Sequence, residues 1–247
     1  MLDRAYLAEA GILMPWSSDA RIIEEFRIVK RNIMFQWQAT ERAVRATELP
    51  RVLMVTSSKP REGKTFAAIN LALAFSLEEN LATVLIDADS VRGDVTRYLK
   101  MPSEPGVAEI LGGEVSLADA LIQTDLPNLV VLPSGTHGPH VPELLTGRGP
   151  SLIFAELSRR YPEHIIILDT APCLASTGAA GLAPLVDQIV FVIEAAHTQQ
   201  NEVEAAVNML RGCESISFLL NKTPEASEHF GSYSYYYGPS TGKAEVD

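Results

Sequence analysis

Eight consecutive residues have the composition and spacing of a loop that binds phosphate. They read SKPREGKT and end in Gly63, Lys64 and Thr65. Such a loop wraps backbone N–H groups around phosphate oxygens, its lysine brings charge to the β- and γ-phosphates, and its threonine hydroxyl binds Mg²⁺. Ser58 stands where glycine is common, and it is small enough for a tight turn. Arg61 is the unusual residue, and it either points outward or reaches a phosphate.

The flanking segments favour a phosphate loop over a surface loop in which glycine and lysine occur by chance. An apolar segment, RVLMVTS, comes directly before it, and a helix-like segment follows over 64–79. This order places the loop between the carboxyl end of a strand and the N-terminus of a helix, where phosphate loops work.

Three aspartates lie at the ends of two other apolar segments, TVLIDAD and HIIILDT. Residues i and i+2 of a strand point to the same side, so Asp87 and Asp89 repel each other unless a cation or a proton lies between them. Turn hydrogen bonds are the alternative for either motif alone. Together with the loop, the motifs predict an ATP and Mg²⁺ site. Its expected catalytic residues are Lys64, Asp87, Asp89 and Asp169, and its expected metal ligands are Thr65, Asp87 and Asp169.

The expected ATP contacts extend along the loop and to the end of the last apolar segment. Asn221 follows ISFLL, and it either contacts an adenine ring or makes a turn or cap hydrogen bond. The residues expected to bind the nucleotide are Ser58, Lys59, Pro60, Arg61, Glu62, Gly63, Lys64, Thr65, Phe66 and Asn221.

Short apolar segments alternate with helix-like segments along the chain, which predicts an α/β fold. The apolar segments are RVLMVTS, TVLIDAD, NLVVLPS, HIIILDT, QIVFVIE and ISFLLNK. Several lack polar alternation, as strands covered on both faces do. We therefore expect a mostly parallel central sheet with helices on both faces and function at the carboxyl ends of the strands. Helices are predicted over 64–79, 116–123, 150–161 and 199–211.

Three regions are predicted: an irregular N-terminal arm over 1–17, a phosphate-loop domain over 18–222, and a flexible tail over 223–247. A helix capped by Ser18 is expected to begin the domain. Its apolar residues recur at helical spacing: Ile22, Phe26, Val29, Ile33 and Trp37.

Charge and composition limit the possible function classes. A formal net charge of −11 argues against a nucleic-acid binder. No apolar run reaches the ~18 residues of a membrane span, and the N-terminus has no secretory signal. The chain has two cysteines, Cys173 and Cys213, which lie far apart in the sequence. They argue against a framework of disulfide bonds, so a cytoplasmic location is expected.

Four tyrosines cluster in the predicted tail: Tyr233, Tyr235, Tyr236 and Tyr237. The surrounding residues have no apolar periodicity, so a buried role is poorly supported. A disordered end is the alternative. If the predicted ATP site transfers phosphate to protein, the cluster is the expected substrate and Asp89 is the candidate base.

These motifs resemble those of the bacterial tyrosine kinases of exopolysaccharide and capsule systems, over most of residues 20–237. SKPREGKT is similar to the family's phosphate loop, LIDADSVRGD to its second motif and IIILDTAP to its third. EEFRIVKRN resembles the family's oligomerisation signature, with Glu24, Arg27 and Lys30 in its charged positions. LPSGTHGPHVPELL resembles its proline-rich loop, and SYSYYYG its tyrosine cluster.

The resemblance implies a fold akin to partition-type ATPases and an ATP-dependent kinase that phosphorylates its own tail in trans. It also implies a homo-oligomeric ring, a separate membrane-bound activator or polysaccharide co-polymerase, and control of polysaccharide polymerisation or export. The alternatives are a partition-type ATPase switch and a nucleotide-binding scaffold, neither of which transfers phosphate to tyrosine.

Two residues depart from the family pattern. Arg61 replaces a glycine that leaves room for the phosphates, and Gly178 stands where relatives often have aspartate.

Lys59 occupies the position at which partition-type ATPases place a lysine that reaches across a dimer, although that position varies among the kinases. His137 and His140 share a loop but have no further metal ligand nearby, so we expect them to face solvent.

Overall fold

The apolar segments form a seven-stranded sheet in the part of the chain that the structure describes. This computed structural model describes residues 2–9, 11–12, 20–43, 51–79, 81–89, 91–126, 128–136, 141–161 and 163–223. The strands are β1 Arg51–Ser57, β2 Ala82–Ala88, β3 Ile122–Gln123, β4 Leu129–Leu132, β5 His164–Thr170, β6 Gln188–Glu194 and β7 Ile216–Asn221. Their order is β3-β4-β2-β5-β1-β6-β7, and all neighbours are parallel except β3 and β4.

Helices cover both faces of this sheet, as the sequence predicted. They are α1 Arg4–Glu9, α2 Ala20–Ala43, α3 Lys64–Phe75, α4 Asp94–Leu99, α5 Val107–Leu111, α6 Leu117–Ala120, α7 Val141–Leu145, α8 Gly149–Arg160, α9 Gly178–Leu182 and α10 Gln200–Val207. Strand side chains alternate between two cores. Leu53 and Val55 of β1 enter the core under α2 and α3, and Val52 and Met54 enter the core under α8 and α9.

The long helix α2 packs along α3 through the apolar stripe that the sequence predicted. Phe26 and Ile33 are buried, and the ring of Trp37 stacks on Phe75 with centroids 5.9 Å apart. Lys30 donates to the backbone carbonyl of Ala74 at 3.1 Å. The stripe and this hydrogen bond fix α2 against the helix that begins at the phosphate loop.

The N-terminal arm, predicted to be irregular, contains α1. The backbone N–H of Tyr6 donates to Oδ1 of Asp3 at 3.1 Å, so Asp3 caps this short helix. Leu2, Leu7 and Ile12 are buried in the core beside α3. The sequence contained the capping signal, but six helical residues are too few for a clear apolar period.

The segment predicted to be one helix over 116–123 divides into two elements. Its helix ends at Ala120, and Ile122–Gln123 pairs antiparallel with β4, with Ile122 opposite Val131. The other predicted helices begin close to where they were expected. Those over 64–79 and 199–211 end earlier, at Phe75 and Val207.

Two sequence predictions concern residues outside the described part of the chain: the cap at Ser18 and the tyrosine cluster over 233–237. His137 and His140 also lie outside it. Among the described helices, none has the length and apolar character needed to cross a bilayer.

Candidate nucleotide-binding site

The loop between β1 and α3 has the backbone geometry of a phosphate loop. Gly63 adopts a left-handed conformation with φ 101°, and α3 begins at the next residue, Lys64. The helix N-terminus therefore opens at the carboxyl end of a central strand, where its free N–H groups favour an anion. Arg61 also has a positive φ, 72°, and its side chain is exposed. Arg61 thus adopts a backbone conformation that glycine adopts more easily.

Asn221 lies against the loop, at the end of β7. Its Nδ2 donates to the backbone carbonyl of Glu62 at 2.9 Å. A Cβ atom on Gly63 would lie 1.9 Å from this Nδ2. Position 63 therefore needs glycine both for its φ angle and for the approach of Asn221. The structure shows a hydrogen bond to the loop for Asn221, and its contact with adenine stays a prediction.

Lys64 meets two of the predicted carboxylates. Its Nζ lies 2.8 Å from Oδ2 of Asp89 and 3.4 Å from Oδ1 of Asp169, and it donates to Oγ1 of Thr65 at 3.2 Å. Asp87 faces Asp169 across the pairing of β2 with β5. The sheet thus brings together all four predicted catalytic residues, although their positions in the sequence are far apart.

Burial dominates the ionisation of this cluster. It raises the pKa of Asp87 well above its usual range, and the negative charges of Asp169 and Asp89 add to that effect. Burial also raises the pKa of Asp169 to about 6, against the opposing charge of Lys64. For Lys64, burial lowers the pKa, but the charges of Asp169 and Asp89 outweigh burial and raise it above its ordinary value. The lysine is therefore a fixed cation.

The remaining hydrogen-bond capacity of the carboxylates fits a hard cation. Both oxygens of Asp87 accept backbone N–H groups, from Asp89 at 3.2 Å and Val95 at 3.0 Å. By contrast, Oδ2 of Asp169 is buried without a hydrogen-bond partner, as is Oγ of Ser58. Buried acceptors of this kind call for a partner. The oxygens of Thr65, Asp87 and Asp169 are of the type that Mg²⁺ prefers.

A complete cage of protein ligands is not present in the described part of the chain, where no group of three or more His, Cys, Asp or Glu side chains could hold a metal. Magnesium usually keeps several waters and binds through one or two carboxylates together with substrate phosphates.

Asp89, the candidate base, is held in place by its surroundings. Its Oδ1 accepts the backbone N–H groups of Val91 at 3.1 Å and Arg92 at 3.2 Å, and its Oδ2 is in contact with Lys64. The carboxylate is almost completely buried. Oδ2, the oxygen of Asp89 that accepts no backbone N–H group, is therefore the one that Lys64 contacts.

The other predicted ATP contacts differ in their exposure. Pro60 is exposed, while Phe66 is half-buried and meets the ring of Phe26 edge-on with centroids 5.8 Å apart. The ammonium group of Lys59 pairs with Glu202 of its own chain at 2.7 Å. Lys59 thus forms its ion pair with α10 of its own chain, and a contact of Lys59 across a dimer stays a hypothesis.

The predicted oligomerisation residues separate into two groups. Glu24 and Arg27 pair with each other at 3.3 Å on the surface of α2, with 58% and 54% of their side chains exposed. Lys30 is 13% exposed and forms an ion pair with Glu78, just beyond α3. Lys30 therefore anchors α2 within the chain, and of the three predicted residues only Glu24 and Arg27 have charges that a neighbouring molecule can reach.

Cys173 and Gly178, which follow the third motif, are both buried. Cys173 is buried, and burial raises the pKa of its thiol to about 11, so the thiol stays protonated. Its backbone N–H donates to the carbonyl of Ser57 at 2.8 Å, which ties the third motif to the start of the loop. Gly178 is buried at the first position of α9, with its N–H bonded to Oγ of Ser176.

Sequence reasoning missed the hydrogen bonds that hold the loop from the ends of β6 and β7. Thr198 donates to Oε1 of Glu62, and Lys222 donates to the backbone carbonyl of Arg61 at 2.7 Å. These pairs are separated by 136 and 161 residues. No local pattern signals such contacts, because they depend on which strand ends the topology places side by side.

The chain is similar in sequence to named bacterial proteins. CapB of Staphylococcus aureus is 30% identical over 219 residues, which are 88% of this chain and 90% of CapB. The tyrosine-protein kinase CpsD of Streptococcus pneumoniae is 30% identical over 189 residues, 75% of this chain and 82% of CpsD. The tyrosine-protein kinase Ptk of Acinetobacter johnsonii is 27% identical over 87% of this chain, but the match spans only 28% of Ptk.

Solved structures share the fold. The VpsO kinase domain is 31% identical with a TM-score of 0.64, and the likeness covers 83% of this chain and all of that domain. The chimerical protein CapA2B2 has a TM-score of 0.74 at 23% identity and covers 90% of this chain and 99% of its own. No protein-family model matches the chain.

Proposed function

Because the chain belongs to the bacterial tyrosine kinases, we propose that it transfers the γ-phosphate of ATP to the tyrosines of its own tail in trans. The observation that carries this proposal is the convergence of Lys64, Asp89 and Asp169 beside a phosphate loop. A protein-tyrosine kinase needs a cation for the phosphates, a carboxylate that accepts the tyrosine proton, and a carboxylate for the metal.

Each residue has a definite task in the transfer. Backbone N–H groups of the loop hold the phosphates, and Lys64 moves from Asp89 to the β- and γ-phosphates when ATP binds. This movement frees Oδ2 of Asp89 to accept the proton of the tyrosine hydroxyl. The tyrosine oxygen then bonds to the γ-phosphorus as the bond to the β-phosphate oxygen breaks, and ADP leaves. Mg²⁺, held by Thr65, Asp87 and Asp169, would neutralise charge that develops on the phosphates.

The proposed targets are Tyr233, Tyr235, Tyr236 and Tyr237, which follow the last described strand within the same chain. Each phosphate adds about −1.5 to −2 charges at neutral pH. Several phosphates on one segment would repel one another and the rest of the chain, whose net charge is already −11. Phosphorylation is therefore expected to expel a tail from a neighbouring active site.

We further propose that subunits assemble as a ring that phosphorylation loosens. The exposed Glu24–Arg27 pair on α2 supplies charge for the contact between subunits. If light scattering gave the mass of a monomer both before and after phosphatase treatment, the ring would have to be abandoned.

A separate membrane-bound activator, or polysaccharide co-polymerase, is proposed as a partner at the inner face of the membrane. Ptk is much longer than the region that this chain matches, so in that relative further protein accompanies it. The name of CapA2B2 likewise describes a chimera. The proposed outcome is control of exopolysaccharide polymerisation or export from the cytoplasmic side.

One experiment tests the kinase proposal against its alternatives. Purified protein is incubated with ATP and Mg²⁺, released ADP is measured, and phosphorylation sites are mapped by mass spectrometry. Phosphate on the tail tyrosines supports the kinase, and a Lys64→Met variant should show none. ADP without phosphotyrosine would instead support a partition-type ATPase switch, and neither product would support a nucleotide-binding scaffold.

The ATPase switch remains the second candidate because of two residues. Arg61 places a large side chain and a left-handed backbone in the loop. Gly178, at the start of α9, provides no carboxylate at a position where the kinases often have one.

Mixing a Lys64→Met chain with a chain that lacks residues 224–247 tests transfer in trans, because phosphate on the Lys64→Met chain can come only from the other molecule.

A further inference from the structure

Hydrogen bonds connect the phosphate loop continuously to the segment between β6 and α10. The hydroxyl of Thr198 accepts the backbone N–H of Glu194 at 3.1 Å and donates to Oε1 of Glu62. The other oxygen of Glu62, Oε2, accepts the backbone N–H of Lys59 at 2.7 Å. A hydroxyl has one proton to donate. Because the carboxylate of Glu62 can only accept, the Thr198 hydroxyl donates its proton to Glu62 and accepts the N–H of Glu194.

The burial of Glu62 shows that this connection is structural and not a surface contact. Its side chain is 2% exposed although it carries a carboxylate. A buried carboxylate is costly unless its oxygens have hydrogen-bond partners. Here one oxygen depends on Lys59, three residues earlier in the loop, and the other depends on Thr198, 136 residues later. Loss of the Thr198 hydroxyl would leave Oε1 without its partner.

A second contact joins the same two segments. The side chain of Lys59 pairs with Glu202 of α10, so Lys59 is held through both its backbone and its ammonium group. Lys222, which donates to the carbonyl of Arg61, also pairs with Glu194 at 3.2 Å. The region of residues 194–202 therefore contacts the loop directly through Thr198 and Glu202 and indirectly through Lys222.

We propose that Thr198 is a positioning residue for the phosphate loop, which it holds through Glu62 in the conformation that binds ATP. The inference rests on the proposed use of this loop for ATP. The backbone N–H groups of a phosphate loop point at one ligand only when the loop is already in the correct conformation, and a preorganised loop loses less conformational entropy on binding. Thr198 itself does not touch the nucleotide in this arrangement.

Three variants test this role. Thr198→Val removes the hydroxyl with little change in shape, and Thr198→Ser restores the hydroxyl without the methyl group. Gln200→Ala is the control, because the side chain of Gln200 is exposed and donates to Glu204 within α10 at 2.8 Å. The dissociation constant of a fluorescent ATP analogue with Mg²⁺ is measured for each folded protein, together with the KM for ATP and kcat.

We expect Thr198→Val to weaken nucleotide binding by about tenfold and to raise KM by a similar factor, with kcat changed less than about twofold. Thr198→Ser should recover most of the affinity, and Gln200→Ala should match the wild type. A role in folding alone would lower the unfolding temperature and leave the dissociation constant of the folded protein unchanged. That result would overturn the proposal.

Hydrogen exchange gives a second readout that does not depend on the valine variant being folded. In the wild type without nucleotide, the amide of Lys59 should exchange slowly because it donates a hydrogen bond to Glu62, and the Thr198→Ser variant should keep that protection. Rapid exchange at Lys59 in the wild type would contradict the connection. Neither readout requires phosphate transfer, so a chain that binds ATP without phosphorylating tyrosine would refute the kinase proposal and leave this one standing.

Discussion

Asp87 and Asp169 lie directly opposite each other near the carboxyl ends of β2 and β5, and both side chains are completely buried. Asp89 lies two residues beyond Asp87. The ammonium group of Lys64 pairs with Asp89 and Asp169, and the charge of Asp87 acts on it less strongly. Like charges in a buried site are unfavourable without a cation or a proton. Burial is the largest cause of the raised pKa values of Asp87 and Asp169, and the neighbouring negative charges add to it.

Replacing Asp169 with asparagine is expected to abolish Mg²⁺-dependent stabilisation by ATP and leave the fold intact. The amide keeps the shape of the side chain but removes a proposed metal ligand and one of three neighbouring negative charges. Phosphate transfer should fall at least about 100-fold, because metal and electrostatic stabilisation supply much of the catalysis in phosphoryl transfer. The measurement is the thermal unfolding temperature with and without ATP and Mg²⁺.

Glu163→Gln is the matched control, because this exposed residue lies directly before β5 and the change alters net charge by the same amount. The control should keep the full increase in unfolding temperature on adding ATP and Mg²⁺. An equal increase in Asp169→Asn would show that Asp169 has no part in holding the metal.

The sequence predicts those site residues that lie at or directly after the ends of apolar strands, and it does not predict those that lie elsewhere in loops. Lys64, Asp87 and Asp169 were predictable, because apolar runs mark parallel strands and residues at their carboxyl ends meet at one edge. Thr198 follows no such rule. It lies in a loop after β6 and reaches Glu62 only because β6 is the neighbour of β1, a pairing that an apolar pattern does not reveal.

Arg61→Gly is expected to stabilise the chain by up to about 1 kcal/mol. A left-handed backbone costs a residue with a Cβ atom about 1–2 kcal/mol, which is partly offset because glycine loses about 0.5–1 kcal/mol more conformational entropy on folding. Arg61 has a φ of 72°, and its side chain is exposed. Urea unfolding measures the change, and the affinity for ATP should not weaken.

Arg61→Ala separates the backbone from the side chain, because alanine keeps the strained φ but removes the guanidinium group. It should not gain the stability of the glycine variant. If alanine and glycine at position 61 proved equally stable, backbone strain would not be the reason that relatives use glycine there. Weaker ATP binding in both variants would instead indicate that the guanidinium reaches a phosphate.

His164 is expected to make the stability of the fold depend on pH. Burial at the start of β5 lowers the pKa of this imidazole below its ordinary 6.5, and the nearby backbone of Tyr161 opposes only part of that effect. The unfolded chain then binds more protons than the folded chain once the pH falls below about 6.5. The contribution of neutral His164 to stability is thus complete above that pH and is lost as the pH falls towards the folded pKa.

A His164→Phe variant isolates this contribution from the acidic cluster, which titrates in the opposite sense. Unfolding free energies are measured in urea at about pH 8 and about pH 5.5. On acidification, the unfolding free energy of the wild type should fall relative to that of the variant. Equal changes in the two proteins would mean that His164 titrates normally in the folded chain.

Two basic residues of α2 are expected to have separable roles in assembly and stability. Arg27→Ala removes an exposed charge whose pair with Glu24 is worth only about 0–1 kcal/mol, so the unfolding free energy should hardly change. Lys30→Met keeps the aliphatic stem but removes the bonds to Ala74 and Glu78. Since these bonds are partly buried, we expect it to lower the unfolding free energy by about 1–3 kcal/mol.

Light scattering then distinguishes the residues, because Arg27→Ala should shift the assembly towards lower mass at equal protein concentration. Lys30→Met should keep the wild-type mass wherever it is folded, since its partners belong to its own chain. A loss of assembly in Lys30→Met without loss of stability would show that Lys30 leaves Glu78 to bind a neighbouring subunit. In that case all three charged positions of the signature, and not only the exposed pair, would form the contact between subunits.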